Sequence, residues 1–306
     1  MNPIVYRWDD GNAPVARGER RSLCDILYAC LVTGYGSKSA AGWTREYVNA
    51  TFDKAVFRNN PATGTGFYLQ VDGAGAGTAY QSLCRGFEVM TDVDTGLFPF
   101  ANAYQVATSF QANTTSRPWT LIADDRAFWF WCWGSITTAP LNDSGTNSQL
   151  FFGDLVSRYL ADPYWCACAA FHVQSYYGTY FSYLAHPNST TGPTAIAIPR
   201  PISGAASPFF ASLIRGGGPG GATYPGVGGL AYTAGDPILI SRPHLNDGEA
   251  YTFRGWLPGY YYPCHPNAFN QLATVTVDGR DYLSIRGQIY YQQYGNIFIA
   301  LDDWRA

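Results

Sequence analysis

The fold is decided by Pro118-Trp119-Thr120-Leu121-Ile122-Ala123-Asp124-Asp125-Arg126, which runs directly into Ala127-Phe128-Trp129-Phe130-Trp131-Cys132-Trp133. Short aromatic and branched runs split by an Asp pair are the grammar of a hairpin, so two strands joined at Asp124-Asp125-Arg126 are expected. A turn at Leu141–Ser148 follows, and then two more strands, Leu150–Val156 and Tyr164–Phe171. Side chains alternate along a strand, so Phe128, Phe130 and Cys132 share one face while Trp129, Trp131 and Trp133 share the other. A strand with large rings on both faces cannot leave either one wet. It belongs at the centre of a sheet covered on both sides by a second sheet, the N-terminal helix or a neighbouring subunit.

Working outward, the clearest helix lies near the N-terminus. Leu23, Ile26, Leu27, Cys30 and Leu31 fall at i, i+3, i+4, i+7 and i+8 and form one apolar stripe. Ser22 is the expected N-cap, with Asp25 completing a capping-box-like start, and Gly34 stops the helix. Burying that stripe contributes roughly 7–15 kcal/mol gross, so the helix docks. Strands are expected at Trp43–Val48, Lys54–Arg58, Phe67–Val71 and Phe87–Thr91, with turns at Asn59-Asn60-Pro61 and across the alternating glycines of 73–77. The Asn/Thr-rich residues 101–117 mark a subdomain boundary. This gives 1–115 as an arm, helix and β subdomain and 116–306 as an aromatic-rich β subdomain, with one compact domain as the alternative.

Residues 186–229 are dense in Pro and Gly and read as a long excursion, an arm or a binding loop. Within it, Ala195–Ile198 is expected as a short strand and Phe209–Arg215 as a helical turn. The C-terminal part returns to strands at Pro237–Ser241, Ala250–Trp256, Ala273–Val277, Tyr282–Tyr290 and Asn296–Leu301. Asp278-Gly279-Arg280-Asp281 signals a tight hairpin. The expected class is therefore mainly β: an antiparallel β-sandwich-like body with one N-terminal amphipathic helix and the long Pro/Gly-rich excursion.

Composition excludes several function classes. A net charge of -3 with 13% charged residues argues against nucleic acid, which demands a concentrated basic surface. There is no run of about 18 apolar residues, so no membrane span is expected, and the N-terminus lacks the charged-then-apolar order of a secretory signal. The expectation is a protein made in a cytoplasm that leaves it only as part of something larger.

Candidate chemistry is sparse. Gly34–Ser39 reads Gly-Ser-Lys after a helix and is a helix end and turn, since a phosphate loop follows a strand and opens a helix. Asp92–Gly96 resembles the start of a calcium loop, but its glycine comes one place early and the closing Glu is missing; a turn is expected. The four histidines, His172, His186, His244 and His265, show no catalytic spacing, and no Gly-x-Ser-x-Gly elbow occurs. Cys166, Cys168 and Cys264 with one His would make only a weak zinc set. Asp124, Asp125, Asp154, Asp162 and Glu249 are the carboxylates to weigh for glycoside hydrolysis, although most are expected in turns. No catalytic, metal or cofactor site is assigned. Of the 7 cysteines, Cys24 and Cys30 lie about 9 Å apart along a helix and Cys166 and Cys168 about 7 Å apart on a strand, so neither pair can bond. All seven are expected as small buried hydrophobes.

Several segments resemble a family of virion structural proteins of tailed bacteriophages. They are Val5-Tyr6-Arg7-Trp8-Asp9-Asp10-Gly11-Asn12-Ala13-Pro14 and Ser22–Val32, then Gly34–Lys38 with Ala40–Thr44, Lys54–Asn59, Phe151–Ser157 and Arg254–Gly259. In that family a Pro often follows Trp-Asp-Asp; here Gly11 stands there. The resemblance implies a non-enzymatic particle component in the tail, baseplate or neck, built as a symmetric multimer whose partners are its own copies and other virion proteins. It carries no catalytic residues over. The rival expectations are a tail protein that binds a host surface glycan or receptor, one that degrades polysaccharide, and a capsid decoration protein. In a particle, the odd cysteine count permits bonds between neighbouring subunits.

Overall fold

A computed structural model of the chain describes residues 2–101, 103–134, 148–157, 163–172, 196–200, 209–214, 238, 240–242, 244–247, 253–263, 269–286 and 296–305. The protein is mainly β, built of several antiparallel sheets with one short helix.

The N-terminal part supplies β1 (Ile4–Arg7), α1 (Ser22–Leu27), β2 (Thr44–Val48), β3 (Lys54–Arg58), β4 (Tyr68–Asp72), β5 (Gln81–Asp92), β6 (Thr95–Pro99) and β7 (Tyr104–Ala107). The middle supplies β8 (Trp119–Ala123), β9 (Ala127–Cys132), β10 (Ser148–Asp154), β11 (Val156–Ser157), β12 (Cys166–His172), β13 (Ile196–Ile198) and β14 (Phe209–Ile214). The last part supplies β15 (Ile240–Ser241), β16 (His244–Asp247), β17 (Phe253–Trp256), β18 (Tyr260–Pro263), β19 (Thr274–Val277), β20 (Arg280–Arg286) and β21 (Asn296–Ala300).

These strands form a 10-stranded sheet in the order β1-β8-β9-β10-β12-β13-β14-β16-β17-β11, a 6-stranded sheet β2-β3-β4-β5-β6 with β7 also on β5, and a 5-stranded sheet β15-β18-β21-β20-β19. The hairpin at 118–133 is the spine of the largest sheet. Its turn is held by Asp124, whose Oδ1 accepts from the backbone N–H of Arg126 (2.9 Å) and Ala127 (2.8 Å). Every residue of β8, β9 and β10 is buried.

The alternation holds on both faces. Phe128, Phe130 and Cys132 join one core with α1 (Leu23, Ile26, Leu27) and the 6-stranded sheet (Phe57, Leu69, Val71). Trp129, Trp131 and Trp133 join a second core with the 5-stranded sheet (Tyr282, Ile297, Phe298) and Trp304. The chain's own layers therefore cover this strand on both sides, and a neighbouring subunit is not needed there. The first core also draws on both sides of residue 115, since Leu69 and Val106 pack in the same cluster as Leu121 and Phe152.

The helical segment keeps its stripe: Leu23, Ile26 and Leu27 of α1, with Cys30 and Leu31 beyond it, are all fully buried. Two details differ from expectation. Ser22 is not the cap; Arg21 occupies that position without a side-chain bond, and Ser22 Oγ accepts from Arg17 N–H (2.8 Å), which fastens the N-terminal arm. Past Leu27 the helix widens to a π-helix over Tyr28–Thr33. The carbonyls of Cys30 and Leu31 there accept from Ala41, Gly42 and Trp43, so the returning chain takes bonds that an α-helical continuation would have used.

Elsewhere the correspondence is close but incomplete. Lys54–Arg58 forms as expected, and Asp278-Gly279 makes the tight turn between β19 and β20 with φ of 50° and 77°. Val93-Asp94 turns β5 into β6, confirming the turn reading of 92–96. The stretch at 87–91 is the second half of a 12-residue strand. Phe209–Ile214 is a strand, not a helical turn, because its aromatic and branched residues pair between β13 and β16. His244 stands on strand β16, and β18 was not foreseen. The turn residues 141–147 and most of 186–229 lie outside the described residues; the described parts of 186–229 include β13 and β14 of the central sheet.

Candidate functional site: a buried carboxylate–guanidinium lock

Asp124 directly follows β8 and Asp154 ends β10, and adjacent registers bring the two strand ends to one side of the central sheet. Arg305 reaches both. Its Nη1 donates to Asp124 Oδ2 and its Nη2 to the backbone carbonyl of Asp154 at 3.3 Å. Asp154 is held on its other side by the loop after β3: Asn59 Nδ2 donates to Oδ1 at 2.8 Å, Thr65 Oγ1 to Oδ1 at 2.6 Å and Thr65 N–H to Oδ2 at 2.9 Å. Gly64 is required here, since a Cβ would collide with the Asp154 carboxylate.

Burial governs the electrostatics. Taken out of water, Asp154 is pushed up to about 6 despite the bonds from Thr65 and Asn59 and the nearby guanidinium. Asp124 is likewise raised by burial, and Arg305 is lowered by it. The last turn of chain is seated independently of these charges. Trp304 is buried against Gly259, at φ 66°, where its indole leaves no room for a side chain, and its Nε1 donates to Ala300 O at 2.8 Å. The group thus ties the end of the chain to the two strand ends and to the N-terminal loop.

Of the carboxylates weighed for hydrolysis, Asp124 and Asp154 are brought together, but both are buried and bonded into the lock. Asp125 is half-buried and accepts from Asn60 and Thr63, which makes it the turn residue expected. Asp162 and Glu249 lie outside the described residues, as do His186, His265 and Cys264. His172 ends β12 and His244 begins β16. Cys24, Cys30, Cys84, Cys132, Cys166 and Cys168 are buried and free, and burial pushes the thiols of Cys24 and Cys132 up to about 12, which keeps them protonated. Among the described residues no cluster of three or more His, Cys, Asp or Glu could hold a metal, and no helix is long and apolar enough to cross a membrane.

A second constellation lies at the β5–β6 hairpin. Arg200 grips Glu88 with two bonds, Nε to Oε1 at 2.6 Å and Nη2 to Oε2 at 2.8 Å, and its guanidinium lies over the rings of Phe98 (4.6 Å) and Tyr164 (4.5 Å). Fully buried Arg254 donates to the carbonyls of Arg200 (2.9 Å) and Tyr164 (3.1 Å), anchoring the group to the central sheet. Beyond this anchor the hairpin carries Val89, Leu97 and Phe98, which are 41%, 61% and 46% exposed. Val89 and Leu97 are cross-strand partners, so they form one apolar face, and Phe98 holds a left-handed φ of 53°.

Sequence reasoning named Asp124 and Asp154 but missed Arg305, Asn59, Thr65 and the hairpin. No short spacing links Arg305 to the carboxylates, which lie 151 and 181 residues away. No protein-family model and no curated protein matches this chain.

Proposed function

We propose that the chain is a non-enzymatic structural component of a tailed-phage particle, placed in the tail, baseplate or neck and assembled as a symmetric multimer. The observation that carries this reading is the β5–β6 hairpin. It is held rigidly by the Glu88–Arg200–Arg254 group and presents Leu97, Phe98 and Val89 to solvent. Only six large hydrophobic side chains stand exposed among the described residues, and three of them meet on this one hairpin. β6 is also the edge of its sheet, and Thr95-Gly96-Leu97-Phe98-Pro99 carries none of the charges that normally blunt an edge. An anchored apolar edge suits contact with another copy of the chain. The six buried cysteines are out of a neighbour's reach, so a bond between subunits would have to use Cys264.

The test is localisation. Antibody labelling and mass spectrometry of purified particles should find the chain at the tail, baseplate or neck in a copy number fitting a ring. A chain absent from washed particles, or present at hundreds of copies over the capsid, would overturn the placement.

A further inference from the structure

The pairing that hides the rings also carries three polar side chains inside. Thr120 stands opposite Trp131 across β8 and β9, and Trp131 stands opposite Gln149 across β9 and β10. Residues directly opposite in an antiparallel ladder project to the same face, here the one that packs on the 5-stranded sheet. Thr120 and Trp131 are fully buried and Gln149 is 5% exposed.

Among the described residues, Thr120 Oγ1, Trp131 Nε1 and Gln149 Oε1 have no hydrogen-bond partner. Four other indoles of the core show what is ordinary here. Trp43 donates to Asp124 O, Trp119 to Pro14 O, Trp129 to Pro258 O and Trp304 to Ala300 O, each at 2.8 or 2.9 Å. Buried polar groups are normally satisfied by protein or by ordered water. Three unsatisfied ones side by side in a single row are a different matter from three scattered lapses.

Their chemistry is complementary to one kind of guest. The indole only donates, the amide oxygen only accepts and the hydroxyl does either. A hydroxylic molecule that accepts from Trp131 and donates to Gln149 satisfies the first two, and Thr120 completes its shell. No charged side chain stands among the three, so the guest is neutral. With strands about 4.8 Å apart the row spans roughly 10 Å, the reach of a short water chain. The next position outward is Arg7 on edge strand β1, opposite Thr120, with its guanidinium part-exposed and paired to Asp9; the row therefore leads to the rim of the sheet.

We propose that Thr120, Trp131 and Gln149 form a built site for ordered internal water, entered from the Arg7 edge. Two measurements test it. In a high-resolution structure of the full chain, ordered density within hydrogen-bond distance of Trp131 Nε1 is expected, and an indole nitrogen facing only carbon there would overturn the proposal. The near-isosteric Thr120→Val change separates the alternatives in solution. If the hydroxyl holds water, the variant melts several degrees lower and the water-to-indole cross-relaxation of Trp131, assigned with Trp131→Phe, weakens. If the row is dry, removing an unsatisfied hydroxyl leaves the melting point unchanged or raises it, and the proposal fails.

Discussion

The lock around Asp154 and the hairpin around Leu97 invert the usual distribution in opposite directions. At the lock, two carboxylates and a guanidinium are buried, and every layer of the chain contributes to holding them. At the hairpin, three apolar side chains are exposed although the backbone beneath them is firmly anchored. The lesson lies in where each would be noticed if disturbed. A buried ion group is weak evidence for stability, because desolvation offsets much of its attraction, but breaking it is costly. An exposed apolar hairpin contributes little to folding, which is why the proposed self-assembly is placed there.

The lock is most sensitive at Arg305, which joins Asp124 to Asp154. Arg305→Ala leaves two buried carboxylates without their guanidinium, and a loss of about 3–5 kcal/mol is expected in urea unfolding at pH 7. A loss below about 1 kcal/mol would mean that water already reaches the group.

Acid sharpens the same side. The folded pKa of Asp154 lies near 6, above its unconstrained 3.8, so the folded state binds the proton more tightly. Stability from this group therefore rises as pH falls from about 6 towards about 4, by about 3 kcal/mol at most, and the raised Asp124 adds in the same direction. Asp154→Asn should flatten that slope, as followed by denaturant midpoints between pH 7 and pH 4. An unchanged slope would place the proton elsewhere.

The hairpin side responds more weakly. Arg200→Ala removes a charged pair whose side chains are 15% and 9% exposed, and roughly 1.5–3 kcal/mol should be lost. Amide exchange should quicken first at residues 87–99. Leu97→Asp, by contrast, should change stability by no more than about 0.5 kcal/mol while weakening self-association.

How much of this could be read from the chain alone follows from the range of the signals. The 118–133 hairpin and the helix stripe announce themselves because alternation and helical spacing are local, and both proved buried as written. Phe209–Ile214 did not, since six residues of mixed aromatic and branched character suit a helical turn or a strand, and pairing with Ile196–Ile198 and His244–Asp247 decides the matter. The Ser22 cap failed for a related reason: the hydroxyl had a better partner in the backbone of Arg17, brought near by the arm. Asp124 and Asp154 were legible as carboxylates to weigh but not as a pair, because the residue that unites them, Arg305, is 181 and 151 residues away. The hairpin's exposure was invisible, since Val89 and Leu97 look like any other strand residues until the covering layers are placed.

On the proposed function, the body completes its own core while the hairpin is built for another copy. Sedimentation velocity of the purified chain and of Leu97→Asp, over a wide concentration range, tests it most directly. The wild type should form one closed multimer, and the variant should stay monomeric with the same melting temperature. A wild-type monomer at every concentration, or a variant that assembles as well as the parent, would contradict it.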